Sequence, residues 1–261
     1  MKALVLLFLV LVVSYSYGQQ HQSQTKFSDS DYGNTLKFHP TPLLWRTASV
    51  SYERHLWERM AVGATLNYRP QSKAPFQSLL KKFFENDEED LYDERNLFDI
   101  KDLKYKTWAF APEVKVYLGE QGSFKGFYIA AFAKWETVKI NYDYPLDFVE
   151  LQQLGLDRIL PITGDIKAFS GGIYVGVQWA LSERFYLDWQ IIGGNFGRAN
   201  LKIHAEQNLS ADEQKQLTDF AKDLKESIDD IDYDIQSSGL KIWGKLPWAG
   251  LRSGISVGYR F

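Results

Sequence analysis

Ten charged residues fall on one phase of a two-residue alternation that recurs along the chain: Lys37, Glu53, Arg69, Glu113, Lys115, Lys134, Glu136, Asp188, Arg252 and Arg260. Successive side chains of a strand point to opposite faces, so each of these charges shares its face with small or polar neighbours. Arg252 and Arg260, for example, alternate with Leu251, Ser253, Ile255, Val257, Tyr259 and Phe261 and share a face with Gly254, Ser256 and Gly258. Six of the ten are cations and four are anions. If that face turns toward a narrow interior, opposite charges must pair, because unpaired burial costs several kcal/mol per ion. Their chemistry is then a network that fills and plugs the interior or, where a pair opens, a narrow gated path for water and ions. The pairing rule favours the plug.

Other chemistry-bearing residues are sparse. His21, His39, His55 and His204 have no metal-ligand spacing, and each reads as a hydrogen-bonded polar residue. His204, Glu206 and Ser210 are hydrolase residue types, but proximity in sequence does not make a triad. No catalytic residue, metal or cofactor is therefore expected. The net charge of −3 supplies no basic excess for phosphate neutralisation, which excludes nucleic acid as the main partner.

The elements that must position the charges are strands. Eight windows alternate, beginning near Leu36, Val50, Met60, Phe110, Phe127, Gly172, Phe185 and Leu251. The first, Leu36 to Leu44, contains Pro40 and Pro42, each of which removes a ladder donor. Short connections at Trp57-Glu-Arg59, 119–125 and Ser182-Glu-Arg184 alternate with long ones at about 73–105, 146–166 and 205–248. The pattern predicts an all-β fold, an eight-stranded antiparallel transmembrane β-barrel with short helices in its extracellular loops. Ten strands would result if Ile231–Ile235 and Leu240–Lys245 formed another membrane hairpin.

The N-terminus supports export. Lys2, the apolar run Ala3 to Val13 and small residues at Ser16 and Gly18 predict a signal peptide over 1–18, followed by a leader over 19–34 and a barrel over 35–261. The apolar run is too short to span a bilayer as a helix. An exported chain without such a helix can still cross lipid as a closed barrel, in which every backbone group is paired. Short turns on the periplasmic side would place both termini in the periplasm. Aromatic residues supply two interfacial belts, with Trp57, Phe124, Phe185, Tyr259 and Phe261 at one end and Tyr68, Trp108, Trp135, Trp243 and Trp248 at the other.

Two loops carry their own structure. Ser210-Ala-Asp-Glu213 is a capping-box pattern, and Leu217, Phe220, Leu224, Ile228 and Ile231 recur at helical spacing behind it. The other loop holds Phe83, Phe84, Leu91, Leu97, Phe98 and Ile100 around an acidic run from Asp87 to Glu94. The run lacks the ligand alternation of an EF-hand and reads as a solvated stretch. The apolar residues Phe83, Phe84, Leu91, Phe98, Leu217, Phe220 and Leu224 form either a lid over the barrel mouth or a partner surface.

The alternating windows, asymmetric loops and terminal Gly258-Tyr-Arg-Phe261 resemble the small outer-membrane barrels of the OmpA-transmembrane-domain and OmpX type. Tyr259 and Phe261 look like the terminal signal read by the barrel assembly machinery. Lys37-Phe-His-Pro40 and Ser51-Tyr-Glu-Arg54 also resemble an uncharacterised group of small barrels. The resemblance implies an outer-membrane location among lipid and lipopolysaccharide. The expected role is non-enzymatic, through extracellular loops in surface interaction or as an accessory subunit beside an outer-membrane protein partner. A narrow porin-like channel is the second expectation, and a lipid A-modifying enzyme using His204, Glu206 and Ser210 the third.

Overall fold

The computed structural model describes residues 33–73, 103–119, 124–146, 158–228 and 230–261. The signal and leader expected over 1–34 therefore lie almost wholly outside the described residues, as do Phe83, Phe84, Leu91, Phe98 and the acidic run.

The alternating windows fold as antiparallel strands: β1 Asn34–Phe38, β2 Ala48–Trp57, β3 Met60–Lys73, β4 Lys104–Tyr117, β5 Gly126–Leu146, β6 Arg158–Ala180, β7 Phe185–Glu206, β8 Ile231–Gln236 and β9 Gly239–Arg260. One 3-10 turn, Thr41–Trp45, and one helix, α1 Ala211–Ser227, complete the described elements. The sheet runs β1-β2-β3-β4-β5-β6-β7-β9-β8, and β1 also pairs with β9. Eight strands thus close a ring. β8 lies outside it, paired with the far end of β9 from Ile231↔Gly244 to Gln236↔Gly239. The hairpin that raised the ten-strand alternative is an appendage above the ring.

The stagger of the ring is legible in its register. Partners followed from Phe38 through Val50, Leu66, Phe110, Trp135, Phe169 and Arg198 arrive on β9 at Pro247. Phe38 itself meets β9 at Val257, so one circuit climbs ten residues (257 − 247). Such a stagger tilts the strands, and eight strands leave an interior just wide enough for side chains.

Sequence and structure part company at four places. The first strand ends at Phe38 rather than continuing to Leu44, because Pro40 and Pro42 initiate the 3-10 turn instead of a ladder. The strands around the second and third long connections are much longer than the windows. β5, β6, β7 and β9 hold 21, 23, 22 and 22 residues, about twice the 9–11 needed to cross a bilayer. In β7 a register shift between Gln190 and Gly193 inverts the phase, so Ile192 faces outward instead of sharing the face of Asp188. Finally, two belt aromatics turn inward. Phe124, at φ 68° beside Gly126 at φ 85°, is fully buried, and Trp248 lies on the same inward phase as Arg252.

The remaining outer aromatics stay exposed in two groups, Trp57, Phe185, Tyr259 and Phe261 at one end and Tyr68, Trp108, Trp135 and Trp243 toward the other. Between them Leu36, Val50, Leu66, Val114, Ile129, Ile173, Val175 and Leu251 are also exposed. So continuous an apolar girdle exceeds what a water-soluble surface carries.

The interior has two storeys. In the shorter part of the ring, Tyr117, Phe124, Tyr128, Phe132, Tyr174 and Tyr186 pack among charged side chains. In the tall part, Tyr142, Leu160, Ile162, Ile166, Leu201, Leu240 and Ile242 form an apolar core. Helix α1 closes that core. Its Leu217 and Ala221 are buried in it, with Phe220 and Leu224 packed against its margin. The helix begins where the capping box predicts: Ser210 Oγ accepts from the Glu213 amide and Glu213 returns the bond to the Ser210 amide. Lys225 at its far end pairs with Asp232 of β8 at 2.7 Å, and that bond holds the Lys225 ammonium above its usual pKa.

Candidate functional site

Six of the ten sequence-selected charges meet in the lower storey. Lys37 Nζ lies 2.7 Å from Glu53 Oε2 and 2.5 Å from Asp188 Oδ2. Lys115 Nζ pairs with the other Glu53 oxygen, with Asp188 Oδ2 at 3.2 Å and with Glu113 at 3.5 Å. Arg252 Nη2 lies 2.8 Å from Glu113 Oε2. Three cations and three carboxylates, carried by β1, β2, β4, β7 and β9, therefore form one connected and electrically neutral cluster. The side chains of Lys37, Glu53, Glu113, Lys115 and Asp188 are at most 1% exposed. Five strands can contribute because the inward phase of every strand converges on the same narrow axis.

Neutral groups on the same phase complete the cluster. Tyr128 donates to Asp188 Oδ1 at 2.5 Å, and Gln178 Oε1 accepts from Lys37 and from Tyr117, each at 3.0 Å. Gln190 Oε1 accepts from Arg252 Nε at 3.1 Å. The Arg252 guanidinium also lies over the rings of Tyr174 and Phe132, at 4.3 and 4.8 Å, and Lys115 lies over Tyr128 at 4.5 Å. Selecting by charge missed these aromatic and amide partners. Their inward phase was the available signal, since buried carboxylates need more donors, and buried ammonium groups more acceptors, than they supply to one another.

The other four selected charges stand apart from that cluster. Lys134 and Glu136 form a second pair at 2.9 Å, and Trp248 Nε1 donates to Glu136 at 3.0 Å. Arg260 donates to Tyr186 Oη at 2.7 Å and lies 5.6 Å from the centre of the Phe124 ring, closing the lower end of the barrel. Arg69 donates to the carbonyls of Trp45 and Lys73 and stacks on Tyr105 at 4.0 Å. It clamps the 3-10 turn to β3 and β4.

The histidines are dispersed. His39 shares a hydrogen bond with Ser51 Oγ at 2.8 Å, and His55 meets the Phe124 ring edge-on at 6.0 Å. His204 Nε2 is bonded to Thr163 Oγ1 at 2.8 Å, while Ser210 Oγ caps α1. His204 and Ser210 are thus engaged with different partners. Tyr259 and Phe261 stack at 6.4 Å on the outer face, and Phe261 exchanges main-chain bonds with Asn34, joining the last strand to the first.

A closed antiparallel ring with an apolar girdle and a charge-balanced core defines the class, a β-barrel of the outer-membrane type. Within it, the chain belongs to the family described as "Protein of unknown function (DUF3575)", whose pattern matches residues 36–229. No curated protein matches the chain. Among solved structures, the translocator domain of autotransporter NalP from Neisseria meningitidis is similar over 97% of each chain, with 9% identity and a TM-score of 0.29. So remote a likeness carries no argument, and the barrel rests on its own strand pairing.

Proposed function

We propose that this protein is an integral outer-membrane barrel of the small OmpA-transmembrane-domain and OmpX size class, with both termini toward the periplasm. It does not conduct, performs no catalysis, and acts through the extension above the membrane, in surface interaction or as an accessory subunit of an outer-membrane complex. One observation carries this reading. The core cluster is neutral, connected and almost wholly withdrawn from solvent. Lumen charges that serve conduction must be reachable by water and ions, whereas these are committed to one another. The second storey supports the same reading, because among the described residues an apolar core with α1 packed into it lies above the cluster.

Current recorded from purified protein in planar bilayers tests the proposal. The expected trace is silent across the usual voltage range. Regular unitary steps from the unmodified protein would defeat it in favour of a narrow gated channel. Co-purification from native membranes in gentle detergent tests the accessory role, and migration as an isolated barrel would restrict the protein to surface interaction.

A further inference from the structure

Above the apolar girdle, the outer face of the tall wall carries an unusual concentration of cations. Three rows of directly opposed strand partners cross it, two residues apart along each strand and therefore about 7 Å apart. The lowest runs Trp135, Phe169, Arg198, Pro247. The middle one runs Trp108, Thr137, Lys167, Asn200, Lys245, and the upper one Lys106, Lys139, Asp165, Lys202, Trp243. Six cations and one carboxylate thus share a patch five strands wide. Lys106 and Lys139 stand directly opposite each other, an arrangement that like charges disfavour. Among the described residues, none of the six has a carboxylate within ion-pair distance. Asp232, at the upper rim, is taken by Lys225.

Directly below the cations the surface becomes apolar and hollow. Trp135 and Phe169 pack at 5.0 Å, and Phe196 beside them is 68% exposed. Gly171 and Ala133 on this outer face leave room between the rings. The resulting depression, about 550 Å³, is lined by Trp135, Phe169, Gly171 and Phe196 and rimmed by Lys167, Arg198 and Lys245. A second, of about 970 Å³, continues upward past Lys139, Lys167, Lys202 and Lys245, with Asp165, Asp230 and the Lys225-paired Asp232 in its wall.

We propose that this face binds a phosphorylated membrane lipid, its phosphates held by Lys106, Lys139, Lys167, Arg198, Lys202 and Lys245 and its acyl chains laid in the hollow beside Trp135, Phe169 and Phe196. The charge calls for an anion with more than one phosphate. The vertical order, cations above and apolar hollow below, is that of a lipid standing in a leaflet. The inference rests on the barrel reading and its orientation, which make this leaflet the outer one.

The test uses the full chain in nanodiscs of zwitterionic phosphatidylcholine, titrated with a bis-phosphorylated lipid A, its dephosphorylated form and inorganic phosphate, with retention read by native mass spectrometry. Wild-type protein should retain the phosphorylated lipid selectively. The triple variant K167A/R198A/K245A should lose retention by about fivefold per cation, about a hundredfold in all. A control, K215A/K222A on α1, should bind as wild type. Equal retention by the triple variant, equal retention of the dephosphorylated lipid, or complete competition by millimolar phosphate would each overturn the inference. Heat-modifiable gel mobility verifies that each variant is folded. A chain removed from membranes by alkaline carbonate would overturn the barrel reading itself, whereas an inserted barrel that retains no lipid overturns this inference alone.

Discussion

Lys37 on β1 holds Asp188 on β7 at 2.5 Å although β9 lies between their strands. The bond therefore bridges the place where the barrel closes on itself. That closure is the weakest ladder in the ring: β1 meets β9 through four residue pairs, Thr35 to Phe38 against Arg260 to Val257. Above it, Thr41 of the 3-10 turn bonds the main chain of Ile255, its Oγ1 accepting from the amide at 3.0 Å. The same edge of β9 carries Pro247, which has no donor to leave unpaired. Side chains thus hold a seam that backbone pairing alone holds poorly.

Lys37→Met should accordingly cost about 3–5 kcal/mol, because it leaves Glu53 and Asp188 facing each other with one cation fewer. Urea titration followed by heat-modifiable mobility reads the loss. Adding Asp188→Asn should restore part of it, since the double variant removes the uncompensated charge. Purely additive losses would show that the two residues do not act as a pair.

Gly176 is required by close packing. A Cβ there would lie 2.3 Å from the hydroxyl of Tyr128, the group that donates to Asp188. Gly176→Ala should destabilise the barrel by about 1–3 kcal/mol through overpacking. Gly171→Ala, whose added Cβ meets nothing closer than 3.7 Å, should stay within about 0.5 kcal/mol of wild type. The same unfolding assay separates them.

Arg252 is the most accessible member of the core cluster, at 16% side-chain exposure, and lies toward the upper storey. Arg252→Ser should admit water past Glu113 and produce small irregular currents in planar bilayers where the unmodified protein is silent. If the variant is silent as well, the seal lies in the apolar storey and α1 rather than in the ion pairs.

Helix α1 offers a graded test of the upper seal. Ser210→Ala removes the cap and should cost about 1 kcal/mol, visible as faster amide exchange in the first turn of α1. Leu217→Asp places a charge in the apolar core and should release the helix, giving rapid cleavage within 211–227 by added protease while the ring stays intact. Unchanged protection in the second variant would show that α1 does not depend on that contact.

Much of the architecture could be read from the chain because a strand has a period of two. That period alone assigns Lys37, Glu53, Lys115 and Asp188 to one face and Leu36, Val114 and Leu187 to the other, whatever the rest of the molecule does. The capping box at Ser210 was equally local. The interruptions were not. The shift between Gln190 and Gly193 inverts β7, and Phe124 turns inward at a positive φ, because neighbouring strands and rings hold those conformations.

Which charges meet is a different kind of fact. Alternation sets a side chain's face but not its height, and height around a closed ring is set by a stagger of ten residues accumulated over eight ladders. That stagger brings Lys37 to Asp188, separates Lys134 and Glu136 into a pair of their own, and assigns Arg69 to the turn instead of the cluster. It also aligns Lys167 and Lys245 above Phe169 on the outer wall. Alternation and local capping specify a chain with a charged inner face and a structured last loop. The pairing of those charges comes from closure of the ring, because register is a property of the closed sheet and not of any strand within it.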